Sequence, residues 1–133
     1  MQIRPALPPS RFAAALGSMD VGLALRRPPT RGETSAALFD FLRAGVPTIV
    51  VDTGTFAEQP DACVLKVAPE AGIPGIADAL ARLAGDRELA SRLGRAALDR
   101  VRIRHAWPVV AKKYVRLLGL PCGCGSGLSG GGA

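Results

Sequence analysis

The chain has 133 residues, 48% of them apolar, and a formal net charge of +6. That is about one domain's worth of chain, with enough apolar material for a core. It has no run approaching the ~18 apolar residues of a membrane-spanning helix, its start MQIRPALPPS has no apolar stretch of signal-peptide length, and three cysteines build no disulfide framework.

The positive charge, carried mostly by Arg, has two readings. One is a surface for nucleic acid or another polyanion. The other is an Arg-biased composition on solvated faces. Basic residues are not interleaved with aromatics, which favours the second, so no nucleic acid is expected. Cys63 lies in an apolar run and reads as a core residue. Cys122 and Cys124 form CGCG in a glycine-rich tail, and the lone His105 does not complete a zinc set with them. A reducing, cytoplasmic location follows as the default.

Residues 1–9 are proline-rich and irregular. Ser10 is placed to cap a short helix from Arg11 to Ser18, with Phe12, Ala15 and Leu16 on one face. VGLAL, 21–25, reads as a buried strand. RRPPTRG, 26–32, is a loop, because Pro28 and Pro29 suit neither helix nor central strand. A helix from Thr34 to Ala44 is ended by Gly45. TIVVD, 48–52, is rich in β-branched residues and predicts a strand, followed by a loop over 53–61. ACVLKVA, 62–68, predicts a third strand, and 69–75 is a turn-rich connection.

The remainder has helical spacing. Ile76, Leu80 and Leu83 stripe a helix from about Pro74 to Ala84. Asp86 caps a second, with Leu89, Leu93, Ala97 and Val101 in register. A third begins near Trp107-Pro108, with Val110, Tyr114, Leu117 and Leu118 apolar. Residues 121–133 read as a flexible Gly-rich tail.

Strands alternating with helices predict an α/β fold: a partial, Rossmann-like parallel sheet of about three strands flanked by helices. The pattern resembles the latter part of a larger α/β domain, occupying 10–120.

In such sheets ligands bind beyond the carboxyl ends of the strands. Two loops leave such ends. The first passes Arg26, Arg27 and Arg31, then Gly32-Glu33-Thr34-Ser35, into a helix start. Free N–H groups there suit phosphate, and the arginines add charge. The second, TGTFAE, has Gly54 in its turn and Glu58 beyond. Together they outline a nucleotide-diphosphate site. Each residue also has a plainer role: Thr34 or Ser35 as a cap, the arginines as a solvated loop, Glu33 as a complement to the helix dipole. Asp40 would then pair with Arg43 one turn on. There is no Walker lysine pattern and no GxGxxG, and one histidine gives Ser-His-Asp chemistry poor support.

PPTRGETSAALFDFLRAGVPTIVVDTGTFAE resembles the C-terminal domain of GT-B glycosyltransferases of the group 1, or family 4, type. The matching pieces are Glu33, Asp40, Gly45-Val46-Pro47, the strand to Asp52, and Gly54 to Glu58. Weaker similarity continues through GDRELASRLGRAAL and the HAW start of the last helix, so that about residues 10–120 are covered. The resemblance implies that Glu33 approaches the donor-sugar hydroxyls and is the catalytic candidate. It implies that backbone N–H groups at Thr34 and Ser35 hold the diphosphate. It assigns Asp40 to the ribose diol, which a carboxylate suits because it accepts two hydrogen bonds. Gly32, Gly54 and Glu58 complete the donor set, and Arg26, Arg27 and Arg31 are phosphate candidates. The step from Glu33 to Asp40 is seven residues where the family has eight, Asp stands for Glu, and Gly54-Thr55 stands for Gly-Gly.

The function so implied is sugar transfer from a nucleoside-diphosphate sugar to an acceptor, with retention, without metal or other cofactor. The partners implied are the donor and an N-terminal acceptor-binding domain that this sequence does not contain; peripheral membrane association belongs to the full enzyme. Without that domain the chain is expected to be inactive alone. The alternative is a non-catalytic nucleotide-binding or scaffold fragment, and behind it a basic nucleic-acid-binding domain.

Overall fold

In the computed structural model residues 7–120 are described. The CGCG pair, the glycine-rich tail and the first six residues of the irregular segment lie outside them. The first helix, α1, runs Pro9–Gly17 with Pro8 at its N-cap. It begins earlier than Ser10 predicts, because proline's fixed φ suits the first helical turn and needs no donor there. Ser10 lies inside the helix and does not cap it.

Three short strands follow: β1 Gly22–Ala24, β2 Thr48–Val51 and β3 Leu65–Val67. They form one parallel sheet in the order β1-β2-β3, with Leu23 opposite Ile49 and Ile49 opposite Leu65. The third strand is shorter than the 62–68 run predicts. Pro60 turns the chain, and Cys63 N–H donates to its carbonyl at 2.8 Å, so residues 61–64 enter as a turn.

Between β1 and β2 lies α2, Ala36–Ala44. Ser35, in extended conformation, is its N-cap and its Oγ accepts from Leu38 N–H at 3.2 Å. Gly45 closes it at φ 70°, in the left-handed region glycine favours, and Val46 N–H reaches back to Phe41 O at 3.0 Å. After β3 come α3, Gly72–Gly85, and α4, Arg87–Arg100, whose cap Asp86 accepts from Leu89 N–H at 2.8 Å. A π-turn, Val101–His105, then leads into α5, Trp107–Leu117.

The sheet separates two apolar clusters. Leu38 and Leu42 of α2 pack on Val50 and Ala24 on one face. Leu83 and Ala79 of α3 pack on Ile49 and Val67 on the other. Helix α4 joins them: Leu89 and Leu93 belong to the α3 cluster, and Ala97, with Val101 just past the helix end, belongs to the α2 cluster. Gly94 is what lets α4 approach so closely, since a Cβ there would collide with the Gly45 carbonyl. Leu38, Leu42, Ile49 and Val50 are fully buried, each stabilising the fold by roughly 1.5–3 kcal/mol. Among the described residues the one buried polar residue, Thr48, is satisfied by donating to Val46 O at 2.8 Å.

β1 differs from the buried strand predicted at 21–25. Gly22 and Ala24 are buried beneath α2, but Leu23 is 42% exposed and Leu25 46%. α3 covers β2 and β3 and stops short of β1, so that face of the edge strand stays open. α5 contributes no buried residue, and Trp107 is 85% exposed and Leu117 82%. No helix among the described residues is long and apolar enough to cross a membrane.

Candidate functional site

The two loops singled out by sequence leave the carboxyl ends of β1 and β2, which are hydrogen-bonded neighbours. They are tied to each other. Thr55 Oγ1 donates to the Glu33 carbonyl at 3.0 Å. Gly54, at φ 53°, sits so close to Thr30 that a Cβ would strike its hydroxyl. The second loop is locked from below by Lys66, whose Nζ lies 2.9 Å from Asp61, 3.9 Å from Asp52 and 2.9 Å from the Ala57 carbonyl.

Glu33 is held within the first loop. Its Oε1 is 2.6 Å from Arg26 Nη1, and its Oε2 accepts from Arg31 N–H at 2.8 Å. A hydrogen bond from its own backbone N–H lowers its carboxyl below the ordinary 4.5, helped by the Arg31 N–H and the Arg26 charge; slight desolvation opposes. Arg26 also donates to the Glu33 carbonyl at 3.3 Å and lies 5.3 Å from the centre of the Phe56 ring. Arg26 is thus a clamp on the loop. Arg27, together with Arg26, lines a cavity of 420 Å³ with Leu25, Val51, Ile73 and Ile76. Of Arg31, only the backbone takes part in the loop's bonding. Gly32, at φ 76°, gives the turn before Glu33.

Thr34, Ser35 and Glu58 come together at the N-terminus of α2, around a cavity of 280 Å³. The helix begins two residues later than Thr34, so its open first-turn N–H groups are those of Ala36 and Ala37. Asp40 is not part of this cavity. It pairs with Arg43 at 3.1 Å across the helix surface, as the plainer sequence reading has it.

The cavity also recruits residues that the sequence does not assign to the donor site. Phe39 and Gln59 line it, as do Arg100 from the end of α4 and His105 from the π-turn. His105 packs edge-on against Phe39, ring centres 5.0 Å apart at 64°. Although His105 keeps an open face, this partial desolvation lowers its pKa from the ordinary 6.5, reinforced by Arg100, Lys113 and Arg104. Arg100 Nε and Gln59 Oε1 are buried with no hydrogen-bond partner among the described residues. Their one signal in the sequence was rarity: His105 is the sole histidine. Arg100 and Gln59 carried none. Among the described residues no group of three or more His, Cys, Asp and Glu is arranged to hold a metal ion.

Comparison with known proteins adds no identity: no family model, no curated protein and no solved structure matches the chain.

Proposed function

We propose that this chain supplies part of the nucleoside-diphosphate-sugar donor site of a GT-B glycosyltransferase. The observation that carries the reading is the junction of the two loops at the carboxyl ends of β1 and β2, over a capped helix N-terminus. Ligands of open parallel sheets bind in that position, and helix N-terminal N–H groups suit a diphosphate. The Glu33-to-Glu58 stretch that resembles the family occupies both loops. Glu33 is the residue we assign to the donor sugar. Asp40 keeps the ribose role only if a ligand draws it from Arg43.

On this reading, sugar passes from the donor to an acceptor held by a second domain, in the cytoplasm and without a metal. The open face of β1 and the exposed side of α5 are surfaces such a domain and further strands would cover. The isolated chain would bind nucleotide and not turn over.

Calorimetric titration of the 133-residue chain with UDP, GDP and ADP tests this. One nucleotide should bind, and Glu33→Ala should weaken the corresponding nucleotide sugar more than the nucleotide. Silence from all three would sink the donor-site reading. A non-catalytic nucleotide-binding fragment is favoured by one observation, the engagement of the Glu33 carboxylate by Arg26. For it, Glu33→Ala would leave nucleotide and nucleotide sugar equally bound.

A further inference from the structure

We infer that Arg100 and His105 complete a phosphate site against the N-terminus of α2, in the cavity they share with Thr34, Ser35 and Gln59. The inference rests on the donor reading above and moves the phosphate-binding cation out of the Arg26–Arg31 loop to the far end of α4.

The first support is the state of the arginines. Arg26 is engaged by Glu33 and Phe56. Arg100 has no ion-pair partner among the described residues, and its Nε is buried and unbonded. A partly buried guanidinium without a counter-ion is costly. A two-oxygen acceptor such as a phosphoryl group offsets that cost, because its geometry matches the guanidinium edge.

The second support is the surroundings of His105. Arg100, at the end of α4, shares the cavity with it; the charges of Arg104 in its own segment and Lys113 on α5 also act on it, while α2 offers the Phe39 ring. Among the described residues Glu58, on the loop after β2, is the sole acid lining the cavity. Three cations around one imidazole make a field that favours an anion. Desolvation first, and these cations after it, favour the neutral imidazole, which donates one N–H to a phosphoryl oxygen and gains a proton as the negative charge arrives.

The third is the supply of donors. Ser35 Oγ takes up Leu38 N–H, leaving Ala36 and Ala37 N–H open. Gln59 lines the same cavity; its Oε1 is buried and unpartnered among the described residues, and its amide Nε2 makes only a long 3.5 Å contact with Thr55 O. At 280 Å³ the cavity has room for a phosphoryl group and several waters, each of about 30 Å³.

The lone histidine makes the test unambiguous. Inorganic pyrophosphate is titrated into the full chain at constant ionic strength while the imidazole NMR signals are followed. The His105 signals should shift saturably, and their pH midpoint should rise in the presence of pyrophosphate. Arg100→Gln should weaken pyrophosphate at least tenfold, whereas Arg92→Gln, the same charge change elsewhere on α4, should not. A shift matched by sulfate at equal charge means an adventitious ion only, and overturns the site. So does an unmoved midpoint, or wild-type affinity in Arg100→Gln. Should Arg100→Gln not fold, the wild-type midpoint decides alone. Pyrophosphate binding with UDP, GDP and ADP no tighter would keep this site and reject the nucleotide reading. Nucleotide binding that leaves His105 unmoved would do the reverse.

Discussion

The hydroxyl of Thr55 donates to the backbone carbonyl of Glu33 at 3.0 Å, across 22 residues of sequence. That bond joins the loop after β1 to the loop after β2, and so shapes the mouth of the cavity at the α2 N-terminus. Thr55→Val keeps the shape of the side chain and removes the donor. It should destabilise the fold by about 0.5–1.5 kcal/mol, the net worth of one hydrogen bond. Urea denaturation would measure this, and hydrogen exchange at 30–35 should quicken more than in α3.

Acid should loosen the same loop. The Glu33 carboxyl lies below its ordinary value of 4.5 in the fold, so the unfolded chain binds its proton first. Its contribution is therefore fully present above pH 4.5 and is lost as pH falls through the lower folded value. Glu33→Gln should flatten the acid limb of the stability curve in that window. An unchanged limb would show that the Arg26 and Arg31 contacts do not hold in solution.

His105 has the same sign for a different reason. Burial against Phe39 and the neighbouring cations depress its pKa, so the fold prefers the neutral ring. Its contribution is complete above pH 6.5 and declines as pH drops through the folded value. His105→Gln should remove that pH dependence. Phe39→Leu should raise the His105 midpoint, read directly from the imidazole signals.

The α2–α4 crossing should tolerate nothing larger than glycine. Gly94→Ala drives a methyl group into the Gly45 carbonyl. Backbone must move to relieve it, at a cost of about 1–3 kcal/mol or more. Leu38→Ala, in the fully buried centre of the same face, should cost about 2–5 kcal/mol. Thermal unfolding of the two variants would check both figures.

α5 should behave in the opposite way. Leu117 is 82% exposed, so Leu117→Gln should change stability by less than about 0.5 kcal/mol. The sole tryptophan, Trp107, should fluoresce as a hydrated indole open to iodide. A blue shift on adding a candidate acceptor domain would mark this helix as the surface that domain covers.

Much of the fold is local and was therefore readable from the chain. The β-branched run at 48–51, the Asp86 cap, a cap at Thr34 or Ser35 that falls to Ser35, the Gly45 stop and the Trp107-Pro108 start act through residues within one turn of each other. So does the Asp40–Arg43 pair, which i,i+3 spacing on a helix brings together. The helix start at Ala36 rather than Thr34, and the short β3, differ from the sequence reading because capping and the Pro60 turn take the end residues out of the regular elements. Other relationships depend on which segments the sheet brings side by side. Leu23 reads as a core residue, yet its exposure was decided by how far α3 extends over the sheet. Glu33 and Thr55 meet because β1 and β2 pair in parallel, which sends both loops out at the same end. Arg100 and His105 reach the cavity because α4 crosses from one face of the sheet to the other. The sequence alone determined the elements and their order, since these follow from short-range sterics and hydrogen bonding. Only the tertiary structure decided the neighbours of the site, because those depend on packing between residues far apart in the chain.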